Sequence, residues 1–420
     1  MAGTDKAAIA RSEGTALDVE AIRRDFPALT QRIHGRTLAY LDSAASAHKP
    51  EAVLAAQERF YREFYSNVHR GVHTLSQRAT DAYETARRRV ARFLGAANDR
   101  EIVFVRGSTE GINLVAQTWG RRRVSAGDEV LLTELEHHSN IVPWQILCEE
   151  RGAKLRVAPI DDRGQVIPEE FQRRLSERTR IAAFAHVSNA LGTINPVREM
   201  TAAAHAAGAV VLVDGAQAAP HFEIDVQELG CDFYVFSSHK VYGPTGVGAL
   251  YGRLELLEQM PPYQGGGEMI RSVTFERTEY APPPARFEAG TPDIGGAIGL
   301  AAALDYLDGQ DRAAVQRHEA DLLRYGTEAL SRIPHVRLVG TAEHKAAVLS
   351  FVVDGVHAHD VGTILDLEGI AVRVGHHCAQ PVMQHFGVPA TARASLALYN
   401  RRDELDRLAA GILKVREVFA

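Results

Sequence analysis

The sequence predicts an α/β protein with a large domain built on a mostly parallel sheet and a smaller C-terminal α+β domain. Three observations carry this. Between Ile102 and Leu250 short apolar runs alternate with longer helical patterns, as expected of a parallel sheet covered by helices on both faces. Polar and catalytic-type residues recur just after those runs, at the strand ends where open parallel sheets bind ligands. From Val336 onward the pattern changes to short strands mixed with helices.

Taken in order, residues 1–21 read as a flexible tail. Met1 to Thr15 has neither an apolar signal core nor an Arg-rich transit pattern. Residues 22–300 form the large domain, with its N-terminal segment packed on the small domain. The strands expected there are Ile102–Val105, Glu129–Thr133, Lys154–Pro159, Ile181–His186, Val210–Asp214, Phe233–Phe236 and Gly248–Tyr251. Helical patterns fill Thr109–Trp119, Ile141–Arg151, Glu169–Leu175 and Val197–Ala207, and Gly152 and Gly208 stand where C-terminal caps belong. The Gly- and Pro-rich stretches Pro261–Gly267 and Ala281–Pro292 read as loops over a site or at a subunit interface. A long helix, Gly295–Leu307, leads into the small domain, residues 301–420. There Val348–Val352, Val361–Leu367, Ile370–Val374, Ser395–Leu398 and Asp403–Val418 are the candidate elements.

Bulk properties narrow the function. A chain of 420 residues suits two domains, and 45% hydrophobic with 24% charged residues are ordinary globular values. A net charge of -6 gives no drive toward nucleic acid or anionic lipid and favours a small-molecule substrate or protein partner. No run approaches the roughly 18 apolar residues of a membrane span. Three scattered cysteines, Cys148, Cys231 and Cys378, point to free thiols in a reducing compartment, hence the cytoplasm.

The chemistry-bearing segments follow from these strands. Asp214 closes the apolar Val210–Val213, so its carboxylate needs a cationic or donor partner, such as a protonated pyridine nitrogen. Ser237-Ser-His-Lys240 follows Phe233–Phe236. A lysine there can form a Schiff base with an aldehyde cofactor, with Ser and His beside it as phosphate donors; an Asp–Lys ion pair is the plainer alternative. Arg106-Gly-Ser-Thr-Glu-Gly111 offers backbone N–H groups and two hydroxyls at a helix start, an anion site or simply a helix cap. His137-His138 suits cofactor stacking, acid/base work or one metal ligand, but no second ligand cluster has metal-like spacing. Cys378 alone among the cysteines stands in a polar loop, Arg373-Val-Gly-His-His-Cys378, where a thiolate is favoured. Arg393 offers a fork for a substrate carboxylate.

Together these residues resemble a known family. Asp214-Gly-Ala-Gln217 with Ser237-Ser-His-Lys240 resembles the pyridoxal-phosphate (PLP) site of the class V aminotransferase superfamily, PLP-dependent enzymes of aminotransferase fold type I. Asn67-Val-His-Arg-Gly-Val-His73, Arg106–Asn113, Glu136-His-His-Ser-Asn140, Arg286-Phe-Glu-Ala-Gly-Thr-Pro292 and Arg373–Pro381 are similar to the SufS-type (Group II) cysteine desulfurases. The likeness runs from about Ile22 to the C-terminus. It implies conversion of L-cysteine to L-alanine, with sulfur left as a persulfide on Cys378. Lys240 would carry PLP, Asp214 face its pyridine nitrogen, Gln217 its ring hydroxyl and His137 its ring face. Ser108, Thr109, Ser237 and His239 would bind phosphate, joined by Thr291 from across a homodimer. Asn189 and Arg393, with Arg373 beside them, would bind the substrate carboxylate.

His359, in Val356-His-Ala-His-Asp360, matches a position from which some desulfurases supply a histidine to a zinc-containing, SufU-like acceptor. The resemblance therefore favours a SufU-like over a SufE-like partner, with iron–sulfur cluster assembly as the use; a surface histidine is the alternative. Two rival functions stand beside the leading one. A selenocysteine lyase would share the PLP chemistry, and a non-catalytic sulfur-binding scaffold would not need the full set of site residues.

Overall fold

A computed structural model of the chain describes residues 17–419. Of the expected tail 1–21, residues 1–16 lie outside the described residues, and a short helix capped by Asp18 runs from Val19 to Arg24.

The large domain is a seven-stranded sheet with all seven expected strands in place. In chain order they are β1 (Ile102–Val105), β2 (Glu129–Thr133), β3 (Lys154–Ala158), β4 (Thr179–Ala185), β5 (Val210–Asp214), β6 (Phe233–Ser237) and β7 (Gly248–Gly252). Across the sheet the order is β1-β7-β6-β5-β4-β2-β3. Neighbours from β6 to β3 run parallel, while β7 is antiparallel to both β1 and β6. The reason lies in the connection from Ser237 to Gly248, too short for a parallel crossover of a dozen or more residues.

Side chains alternate between two cores along each strand, which makes the sheet dry on both faces. Val211 and Val213 on β5 and Tyr234 and Phe236 on β6 enter one cluster. Leu212, Phe233 and Val235 enter the other. Only β3, at the sheet's edge, is largely exposed, and its Lys154 and Arg156 discourage further strand pairing.

Helices cover the sheet. Helix α1 (Thr74–Phe93) packs under the sheet, followed by α2 (Ser108–Val115) and α3 (Val142–Arg151), which ends at Gly152 with φ 67°. Gly208 is likewise left-handed, φ 82°. Helix α4 (Ile294–Asp308) lies against α1, where Arg89 binds Asp305, Asp308 and the Leu304 carbonyl. The expected division at residue 300 thus falls inside α4.

The small domain contains β8 (Val336–Val339), β9 (Val348–Val353), β10 (Arg373–Gly375) and β11 (Thr391–Ser395), in the order β8-β9-β11-β10. Helices α5 (Arg312–Ser331), α6 (Ala358–Leu367) and α7 (Arg402–Phe419) accompany them. The expected strand Ser395–Leu398 is corrected to β11, which ends at Ser395. The expected Ile370–Val374 splits: Ile370–Ala371 pairs instead with Ala39–Tyr40 of the N-terminal segment. Ala39 and Leu41 join the small-domain core with Leu349, Phe351 and Leu408. The chain beyond Leu41 is thereby carried to the cleft between the domains.

One buried ion pair fixes the loop that bears Thr291. Arg87 of α1 donates to both oxygens of Glu288, at 2.7 and 2.9 Å, while Phe104 N–H and Tyr83 O–H donate to the same carboxylate. Removing the guanidinium leaves Glu288 nearly buried and unpaired, a change that costs about 3–5 kcal/mol in comparable sites. Arg87→Ala is expected to lower the thermal unfolding midpoint measurably by circular dichroism, and Glu288→Gln to lower it less.

Candidate active site

Asp214 ends β5 and Lys240 lies one short 3₁₀ turn beyond β6, its parallel neighbour. Both line a cavity of about 280 Å³ at the carboxyl edge of the sheet, closed on the far side by the small domain. Twelve residues singled out from the sequence line it together: Ser108, Thr109, His137, Asn189, Asp214, Gln217, Ser237, His239, Lys240, Arg373, Cys378 and Arg393. Thr291 does not. It is exposed and lines a second cavity, with Arg106, Glu110 and Gly290. His359 also stands apart, exposed in the first turn of α6.

Burial and opposite charge set the central pair. The Asp214 carboxylate accepts a hydrogen bond from Ala216 N–H at 3.0 Å. Burial pushes its carboxyl upward while the Lys240 charge pulls it back. Burial likewise brings the Lys240 ammonium down from its usual range to about 8, with Asp214 opposing and Arg393 assisting. A cation facing Asp214 would relieve it, and a protonated pyridine nitrogen is such a group.

The opposite end suits phosphate. Gly107 leads into α2 with φ 155°, and a side chain on it would meet Ser237 Oγ at 3.1 Å. Ser108 N–H donates to Ser237 Oγ at 2.9 Å, and the two hydroxyls lie 3.0 Å apart. Hydroxyls and backbone N–H groups therefore converge at a helix start. With Lys240 between this cradle and Asp214, the residues fit PLP: phosphate at α2, pyridine nitrogen toward Asp214. Gln217 is held by donation from its Nε2 to the Ala44 carbonyl.

His137 is kept neutral. Ser139 N–H donates to its Nδ1 at 3.0 Å, so the ring proton resides on Nε2. Burial, then the charge of Lys240, brings its pKa down to about 4. Near neutral pH it offers an uncharged ring face and an Nε2–H donor.

On the small-domain side the polar stretch Thr391–Ser395 is a fully buried strand. Most of its polar atoms find partners. Thr391 pairs with His377 Nε2 at 2.8 Å, Arg393 donates to the Asn189 carbonyl at 2.8 Å, and Ser395 Oγ accepts from Ala44 N–H. Arg393 Nε remains buried without a partner, as does Asn189 Oδ1. An unmet donor on a buried guanidinium in a cavity is a place for an anion.

Cys378 is exposed, whereas Cys148 and Cys231 are buried. Burial drives the Cys148 thiol up to about 11 and the Cys231 thiol further. The Cys378 loop holds two consecutive non-glycine residues in left-handed conformation, His377 at φ 55° and Cys378 at φ 54°. Such residues cost roughly 1–2 kcal/mol each, so the loop needs external bonds. His138 N–H donates to the Cys378 carbonyl at 2.7 Å, Asn189 Nδ2 to the His377 carbonyl, and Gln380 N–H to His138 Nε2 at 3.1 Å.

Two residues that shape the site were given no role in the sequence reading. Asp42 accepts from both Arg373 and Arg393. Its signal was an acidic residue directly after the apolar Ala39–Leu41, the same signal that marks Asp214. Glu136 is fully buried and bound by Thr133, Asn140 and Ala185 N–H. It fixes the turn before His137, and nothing in its local sequence separates it from a surface glutamate.

Known proteins give an independent comparison. The family model for class-V aminotransferases matches residues 39–408. A cysteine desulfurase of Synechococcus elongatus is 54% identical over 95% of this chain, which spans 64% of that relative's length. One of Pectobacterium carotovorum is 52% identical over 95% of this chain and 98% of its own. The crystal structure of the cysteine desulfurase CsdA from Escherichia coli superposes with a TM-score of 0.90 at 41% identity, covering 97% of this chain and all of that one.

A free amine at Lys240 is the form that binds an aldehyde, and a pKa of about 8 supplies it well below the range of an ordinary lysine. In cofactor-stripped protein, the stopped-flow rate of visible-band formation with PLP should rise with pH and level off above about 8. Lys240→Ala should form no such band.

Proposed function

The chain belongs to the class-V aminotransferase family and within it to the PLP-dependent cysteine desulfurases, and on that footing we propose how its own residues take sulfur from L-cysteine. The observation that carries the reading is the convergence of Lys240, Asp214, Arg393 and Cys378 on one cavity.

In this reading PLP, held by Lys240 and by phosphate contacts from Ser108, Thr109, Ser237 and His239, supplies an electron sink for bonds broken at the substrate. Arg393 and the Asn189 side chain orient the substrate's α-carboxylate. The Lys240 amine, once free, removes the proton from Cα, a task suited to its lowered pKa. Asp214 would keep a proton on the pyridine nitrogen. His137 would lend its uncharged ring to the cofactor's face and its Nε2–H to the site. The Cys378 thiolate attacks the substrate sulfur; the S–S bond forms, the C–S pair stays with Cβ, and protonation of Cβ together with return of a proton from Lys240 to Cα yields alanine. The sulfur remains on Cys378 for an acceptor protein.

The wider assignments belong to the same proposal. Thr291, exposed on a loop beside a cavity, fits a phosphate contact given across a homodimer. His359 is exposed on α6, and α6 packs on β10 through Gly362 and Val374, just ahead of the Cys378 loop. That supports docking of a SufU-like, zinc-containing acceptor on this flank. Iron–sulfur cluster assembly in the cytoplasm is the use we infer. Among the described residues no helix is long and apolar enough to cross a membrane.

Cys378→Ala is expected to retain the bound cofactor's visible band while releasing alanine from L-cysteine at less than about one hundredth of the parent rate. Full activity of that variant on selenocysteine alone would favour the lyase. Unchanged alanine release from L-cysteine would reject the role of Cys378. His359→Ala should keep persulfide formation but lose sulfur transfer to a zinc-loaded SufU-type acceptor, followed with labelled sulfur.

A further inference from the structure

We propose that Asp42 is a positioning residue that holds Arg373 and Arg393 in place for the substrate's α-carboxylate and thereby sets the affinity for cysteine. The inference rests on the reading of the cavity as a cysteine desulfurase site.

Arg373 and Arg393 stand directly opposite each other on β10 and β11. Like charges so placed repel, since opposed Cβ atoms lie only about 4.5–5.5 Å apart. Asp42 reaches them from a third segment. It bridges to Ser395, two residues beyond Arg393. Its backbone surroundings are fixed by Leu41 N–H to the Ala371 carbonyl at 2.9 Å and Ser395 N–H to the Leu41 carbonyl at 2.8 Å.

One carboxylate serves both guanidiniums. Asp42 Oδ2 accepts from Arg373 Nε at 3.1 Å and Nη2 at 2.9 Å, and Oδ1 accepts from Arg393 Nη2 at 3.3 Å. Arg393 spends Nη1 on the Asn189 carbonyl, leaving its buried Nε as an unmet donor. Two guanidiniums and one carboxylate leave a single uncompensated positive charge, and the substrate brings a single carboxylate. Without Asp42, the half-exposed Arg373 is free to turn to solvent, and Arg393 keeps one anchor instead of two.

The test uses Asp42→Ala and Asp42→Asn in the full-length, PLP-loaded protein. Turnover of L-cysteine is measured first. Binding of L-cysteine, and of cysteamine, which lacks a carboxylate, is then titrated by cofactor absorbance in a Cys378→Ala background. Asp42→Ala should raise KM and the L-cysteine dissociation constant about tenfold or more, with kcat and cysteamine binding within about threefold. Asp42→Asn, whose amide oxygen can hold one arginine but carries no charge, should raise KM about three- to fivefold. Unchanged L-cysteine affinity in both variants overturns the proposal, and so does equal weakening toward L-cysteine and cysteamine. If circular dichroism shows Asp42→Ala unfolded, Asp42→Asn decides by the same criteria. Failure of the desulfurase reading is separate, since the parent protein would then release no alanine.

Discussion

A carboxylate buried at the end of a central strand, with a single backbone donor, is costly until a cation faces it. Asp214 is in that position, and Lys240, just beyond the neighbouring strand, partly offsets it, at the expense of its own proton affinity. Two properties that the proposed chemistry needs arise from this one juxtaposition: an anion able to pair with a protonated heterocycle, and a lysine able to act as nucleophile and base near neutral pH. Both depend on β5 and β6 being adjacent and parallel, which the two apolar cores enforce by filling both faces of the sheet.

The large domain supplies only half of the cavity. The small domain brings Arg373, Arg393 and Cys378, and the N-terminal segment ties the halves together by pairing with Ile370–Ala371 and sending Asp42 onward. The cysteine loop shows the same interdependence. Its left-handed residues are tolerated because groups of the large domain, His138 and Asn189, hold two of its carbonyls. A thiol so fixed is exposed yet tethered, as the proposed hand-over of sulfur to an acceptor protein requires.

Much of this was legible in the sequence where one local signal sufficed. Apolar runs gave the seven strands, Gly152 and Gly208 gave helix ends, and residues after the strands gave the cavity lining. What depended on long-range pairing was not legible. The helix Thr74–Phe93 was not singled out because its buried stripe of Ala79, Tyr83, Ala86 and Val90 is weakly apolar and interrupted by buried arginines. The antiparallel direction of β7, the division of Ile370–Val374 between two partners, and the burial of Thr391–Ser395 are tertiary facts. Asp42 falls in the same class: its role appears only once β10 and β11 lie side by side.

The central claim is that sulfur from L-cysteine comes to rest on Cys378, and peptide-level mass spectrometry after incubation of the purified, PLP-loaded protein with L-cysteine tests it most directly. The account predicts the mass of added sulfur on the peptide containing Cys378 and none on those containing Cys148 or Cys231. Alanine release with no added sulfur on Cys378, or with sulfur on either buried cysteine instead, would contradict it.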